Sequence, residues 1–84
     1  MTITRQVNAG PQDLKEAAEY IADILTEAQD ASDLYLATYH VQYVGAPERV
    51  IVKTDTGDAR YRYEITHHTD VNKLLDIIVE DLSE

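Results

Sequence analysis

Residues 34–66 of this 84-residue chain read LYLATYHVQYVGAPERVIVKTDTGDARYRYEIT. The stretch is rich in tyrosine, valine, isoleucine and threonine, which favour β-strands. Two groups of turn-forming residues interrupt it, Gly45-Ala46-Pro47-Glu48 and Asp55-Thr56-Gly57-Asp58. The second group is a strong hairpin signal, because its glycine can adopt a positive φ. The pattern predicts three antiparallel strands, over residues 34–44, 49–54 and 59–66.

Alternation along these strands assigns their side chains to two faces of a sheet. Pairing the strands through the two turns sets the register, and the register decides which face is buried. The face that we expect to be buried carries Tyr35, Ala37, Tyr39, Val41, Tyr43, Val50, Val52, Tyr61, Tyr63 and Ile65. The face that we expect to be open carries His40, Gln42, Arg49, Ile51, Lys53, Arg60, Arg62, Glu64 and Thr66.

Two segments that flank the strands have the periodicity of amphipathic helices. The first covers residues 13–30, and Pro11 precedes it at a position that suits a first helical turn. The second covers residues 71–82. One face of this second helix carries Val71, Leu74, Leu75, Ile78 and Leu82.

These elements predict a single α+β domain over residues 1–84. Its order is helix, three-stranded antiparallel meander and helix, with both helices on one face of the sheet, because the apolar faces must be buried against each other. Alternation over residues 2–7 also predicts a short N-terminal edge strand.

The outer side of the first predicted helix carries a continuous row of carboxylates. The chain has 16 Asp and Glu against 7 Lys and Arg, for a net charge of −9. Six of the acidic residues are three or four positions apart and fall on an arc of roughly 120°. We call these six the acidic stripe: Asp13, Glu16, Glu19, Asp23, Glu27 and Asp30. The stripe spans about 25 Å, and its charge density is comparable to that of a DNA strand. We predict that a partner protein binds the stripe together with Tyr20, since tyrosine is enriched at interface hot spots.

No motif in the chain predicts catalysis. There is no cysteine, no nucleophile elbow and no glycine-rich phosphate loop. The three histidines, His40, His67 and His68, are not spaced to converge on a metal ion. We therefore expect no enzymatic activity, no cofactor and no metal site.

The sequence also predicts where the protein acts. Absence of cysteine is typical of a reducing cytoplasm. The segment Met1-Thr-Ile-Thr-Arg5 lacks the pattern of a signal peptide, and no apolar run approaches the ~20 residues that span a bilayer. We expect a cytoplasmic protein without a membrane partner.

Two other interpretations of the charge pattern stay open. The acidic stripe is also what a solvated helix face looks like in a protein of low pI. Alternatively, the basic residues of the open sheet face, Arg49, Lys53, Arg60 and Arg62, form a nucleic-acid-binding surface. A net charge of −9 opposes contact with a phosphate backbone, and the open face offers no aromatic side chain for base stacking.

The order helix, three strands, helix resembles the double-stranded RNA-binding domain. That family binds phosphates through a lysine cluster at the start of its last helix, whereas this chain has Thr69-Asp70-Val71-Asn72-Lys73 there. In size, charge and layout the chain also resembles the small acidic phage proteins called anti-CRISPR proteins. This second resemblance implies an inhibitor that mimics DNA and occupies the nucleic-acid-binding surface of a bacterial defence nuclease.

We therefore expect a non-enzymatic inhibitor whose partner is a basic, nucleic-acid-binding protein. The expected protein binds no nucleic acid directly and is a monomer or a homodimer. One alternative is a small accessory or scaffold subunit, or a homodimer formed through an edge strand. The other alternative is a nucleic-acid binder that uses the basic sheet face.

Overall fold

The computed structural model describes residues 11–83 as two helices and one three-stranded sheet. The elements in chain order are α1 (Leu14–Ala31), β1 (Thr38–Gly45), β2 (Glu48–Asp55), β3 (Arg60–Ile65) and α2 (Val71–Leu82), with a 3₁₀ turn (His68–Asp70) leading into α2. The strands are antiparallel and lie in the order β1-β2-β3. The predicted α+β meander between two helices is confirmed. The predicted strand over residues 2–7 lies outside the described residues.

The strand register agrees with the prediction from the two turns. Val52 of the central strand β2 is paired with Val41 on β1 and Tyr63 on β3. The turn between β2 and β3 contains Gly57 at φ 94°, and the Gly57 N–H donates to Asp55 Oδ1 at 2.7 Å. The positive φ expected of this glycine is therefore present, and it holds the register of the hairpin.

The core lies between the two helices and one face of the sheet. Val50 and Val52 are both fully buried at 0% exposure. The helices contribute residues at helical spacing, as amphipathic helices do when they cover a sheet. These buried helix residues are Leu14, Ala17, Ile21, Leu25, Val71, Leu74, Ile78 and Leu82. Both helices contribute to one core cluster with the same face of β2, as the sequence predicted.

The prediction was wrong about the start of the first strand. We expected it at Leu34, with Tyr35 and Ala37 facing the core, but β1 begins at Thr38 and both side chains are exposed. For Tyr35 the reason is a hydrogen bond that the alternation does not encode: its N–H donates to the carbonyl of Leu82 at 3.1 Å. This contact ties Tyr35 to the end of α2, and backbone bonding to the sheet begins only at Ala37, whose N–H donates to the carbonyl of Asp55 at 2.8 Å.

Candidate functional site

All six carboxylates of the acidic stripe are exposed on α1 or at its N-cap. The reason is the helical period, because the opposite side of the helix carries the buried residues Leu14, Ala17, Ile21 and Leu25. None of the six forms a salt bridge with another described residue, since the ion pairs within residues 11–83 join Arg49 to Glu64 and Arg60 to Asp55.

The two carboxylates at the start of the stripe also stabilise the helix. Asp13 is the N-cap, and its Oδ1 accepts a hydrogen bond from the Glu16 N–H at 2.8 Å. Glu16 Oε1 in turn accepts from the Gln12 N–H at 2.7 Å. The first bond satisfies one of the backbone donors that a helix leaves open at its start, and the second ties the residue before the N-cap to the first turn. Asp13 and Glu16 therefore have a structural role that is sufficient to account for them.

The remaining four, Glu19, Asp23, Glu27 and Asp30, have no such role. None of them makes a side-chain hydrogen bond or a salt bridge within residues 11–83. The last turn of α1 contains no basic residue, although the C-terminal end of a helix favours cations and disfavours anions. The second half of the stripe is thus the part of α1 whose charge the fold does not explain.

Charge is distributed unequally between the helical layer and the sheet. Residues 11–33 carry seven Asp and Glu and one lysine, and residues 67–83 carry four Asp and Glu and one lysine. Residues 34–66, which contain the sheet, carry four acidic and four basic residues. The excess negative charge of the described chain therefore belongs to the segments that contain the helices.

Tyr20, the proposed aromatic anchor of the site, is half-buried and packs against the core. Other tyrosines also border the core with their hydroxyl groups bonded at its edge. The Tyr39 hydroxyl is hydrogen-bonded to Thr26, and the Tyr63 hydroxyl donates to Asp81 Oδ2 at 3.0 Å. Burial, followed by this hydrogen bond to Asp81, raises the pKa of Tyr63 to about 12. Tyr20, Tyr39 and Tyr63 thus enlarge a thin core. A tyrosine at the edge of a core buries the apolar ring and leaves the hydroxyl near solvent.

The open face of the sheet has a neutralised end and a basic end. At the neutralised end, Arg49 Nε lies 2.8 Å from Glu64 Oε2. At the other end, His40, Lys53 and Arg62 lie abreast on the three strands, in a groove of about 410 Å³. The sequence grouped Arg49 with the other basic residues of this face and did not include His40 among them. The difference between the two ends becomes visible only when the pairing of residues across strands is known.

Among residues 11–83, no group of three or more His, Asp or Glu side chains is placed to hold a metal ion. No described helix is long and apolar enough to cross a membrane. Comparisons of this chain with protein families, with curated proteins and with solved structures found no match.

Proposed function

We propose that this protein is a cytoplasmic, non-enzymatic inhibitor that binds the basic surface of a nucleic-acid-binding protein through the acidic stripe. A bacterial defence nuclease is an example of such a partner. The stripe would occupy the surface that otherwise holds DNA or RNA and so block it. The contact residues are Asp13, Glu16, Glu19, Asp23, Glu27 and Asp30, with Tyr20 at the edge of the stripe.

The observation that carries this proposal is the lack of compensation within the stripe. Glu19, Asp23 and Glu27 follow one another at intervals of four residues, where like charges destabilise a helix. No described basic residue pairs with any of them. A row of carboxylates that opposes folding of its own helix is better explained by an external cation-rich partner than by the needs of the fold.

The spacing of the carboxylates in the acidic stripe is complementary to a protein surface that binds nucleic acid. Six charges over about 25 Å give one charge every ~4–5 Å, against one per 3.4 Å along a DNA strand. The carboxylates are on one rigid helix, so little conformational entropy is lost when they are bound. Charge complementarity of this kind accelerates association and makes it sensitive to salt.

The test is affinity capture of a purified nucleic-acid-binding protein by the wild-type protein and by three variants. Competition with a DNA duplex follows. The stripe variant carries Asp23→Lys and Glu27→Lys. Its control carries Glu48→Lys and Asp58→Lys, which change the net charge by the same amount at exposed residues outside the helices. The sheet variant carries Arg60→Glu and Arg62→Glu. Circular dichroism and melting temperature establish that each variant is folded before capture.

We expect the wild type, the control and the sheet variant to retain the same purified nucleic-acid-binding protein, and the stripe variant to lose it. Added duplex DNA should displace the wild-type protein from that partner, and raising the salt concentration should weaken the complex. Retention by the stripe variant at wild-type level would contradict the proposal. Loss by the sheet variant alone would move the contact surface to the open face.

A further inference from the structure

The basic end of the open sheet face is a surface separate from the acidic stripe. It is built by two rows of side chains that cross all three strands: His40, Lys53 and Arg62 in one row, and Thr38, Asp55 and Arg60 in the next. These six residues, with Tyr39, Thr54 and Tyr61 from the row between them, line the groove of about 410 Å³. Its size is within the range of pockets that hold small molecules.

The first row is electrostatically unfavourable in the free protein. Lys53 lies directly opposite Arg62 on β3, and like charges facing each other across strands are destabilising. His40 on β1 is the third member of the row. None of the three forms a salt bridge with a described residue.

Asp55, the acidic residue in the groove, is paired with Arg60 instead of with Lys53 or Arg62. Its Oδ2 lies 3.4 Å from Arg60 Nε, and its Oδ1 accepts from the Gly57 N–H. Among residues 11–83, neither Lys53 nor Arg62 forms a salt bridge with a carboxylate.

The other end of the same face provides an internal comparison. There Arg49 is paired with Glu64 at 2.8 Å, and Glu64 lies opposite Ile51, which is only 8% exposed. One end of the face is thus neutralised by the protein itself, and the groove end is not. From this contrast we propose that the groove binds a small molecule that carries a phosphate or diphosphate group.

Phosphate chemistry fits the groove better than a single carboxylate does. Lys53 and Arg62 are on adjacent strands, about 5 Å apart along the hydrogen-bonding direction, so that one phosphate group can bridge them. A phosphate has about two negative charges to match these two cations and accepts hydrogen bonds from several directions. The planar guanidinium of Arg62 can donate two parallel hydrogen bonds, and Lys53 contributes a compact charge.

A long nucleic acid fits less well. Tyr39 and Tyr61 are among the residues that line the groove, but both pack against the core on the helix side of the sheet. The open face therefore presents no tyrosine ring on which a base could stack, as single-stranded nucleic acid requires. The helical layer on the other side of the sheet is strongly acidic. Phosphates that extend beyond the groove would therefore be repelled, while a compact anion would lie wholly within it.

The experiment is titration of the isotope-labelled protein with inorganic pyrophosphate, followed by amide chemical shifts. The variants are Lys53→Gln and Arg62→Gln, and the matched control is Arg49→Gln on the neutralised end of the same face. We expect saturable shifts centred on the His40, Lys53 and Arg62 row. Each groove variant should weaken binding by at least about tenfold, as expected for loss of a hydrogen bond between charged groups. Arg49→Gln should leave the affinity unchanged.

Three results would overturn the proposal. Shifts that do not saturate, or that spread evenly over the protein, would mean that pyrophosphate has no site here. Equal weakening by Arg49→Gln would mean that only the overall charge matters. Tighter binding of a single-stranded DNA 20-mer than of pyrophosphate, at equal phosphate concentration, would replace the small ligand with nucleic acid. The melting temperature of each unliganded variant confirms that it is folded.

Discussion

Replacing Asp23 with lysine tests directly whether the acidic stripe opposes folding. Asp23 lies one helical turn from Glu19 and one turn from Glu27, and all three are exposed. A like-charge pair at this spacing destabilises a helix by about 0.2–0.5 kcal/mol, and an opposite pair stabilises it by a similar amount. Asp23→Lys converts two repulsions into two attractions, so we expect the free energy of unfolding to rise by about 1–2 kcal/mol at low salt. In a domain of this size each kcal/mol raises the melting temperature by about 4–8 °C.

The assay is urea unfolding followed by circular dichroism, at about 20 mM and about 500 mM NaCl, two concentrations between which surface charges become screened. Asp23→Asn is the matched control, because asparagine and aspartate have similar helix propensities. It removes the repulsion without adding attraction, so it should show about half the gain. The reasoning is refuted if lysine is no more stabilising than asparagine, or if the gain is the same at both salt concentrations.

Four further predictions follow from the charges and contacts described above. The wild-type melting temperature should rise as salt is added from low concentration, since screening reduces self-repulsion; a flat curve would mean that the carboxylates are already compensated. Folding raises the pKa of Tyr63 from 10.0 to about 12, so the stabilisation is complete below pH 10 and is lost as the pH rises through 12. Between pH 10 and pH 12 the wild type should therefore lose this stabilisation and Tyr63→Phe should not, as measured by alkaline unfolding. Equal loss in both proteins would exclude this role of Tyr63. Asp13→Ala should lower the free energy of unfolding by about 1 kcal/mol through loss of the helix cap, measured by urea unfolding. Thr54→Val should raise it by about 1 kcal/mol, because the Thr54 side chain is buried and its hydroxyl makes no hydrogen bond of normal geometry with described residues; a loss of stability would contradict this.

The sheet was predictable because its signals are local. Gly57 fixes the tight turn after β2, and once that turn is set the alternation assigns every side chain of β2 and β3 to a face. The start of β1 was not predictable, because Tyr35 and Ala37 continue the same alternation as the strand. The Tyr35 N–H donates to the carbonyl of Leu82 at the far end of the chain, and no local pattern contains that information.

The charged surfaces were predictable to different degrees. Helical period alone placed Glu19, Asp23 and Glu27 on one exposed side of α1. On the sheet, sequence showed that Arg49 and Lys53 share a face, but it did not show that Arg49 is neutralised by Glu64 while Lys53 is not. Salt bridges between strands depend on which residues become neighbours, so they follow from the register rather than from composition.

The excess of negative charge in the helix segments over the sheet gives the molecule a permanent electric dipole, directed from the helical layer towards the sheet. Such a molecule experiences a torque in an external field, so it rotates before it touches anything. Near a positively charged surface this torque would turn the helices forward. An approach to such a surface would then begin with the acidic stripe in front, which shortens the rotational search that limits most protein association rates.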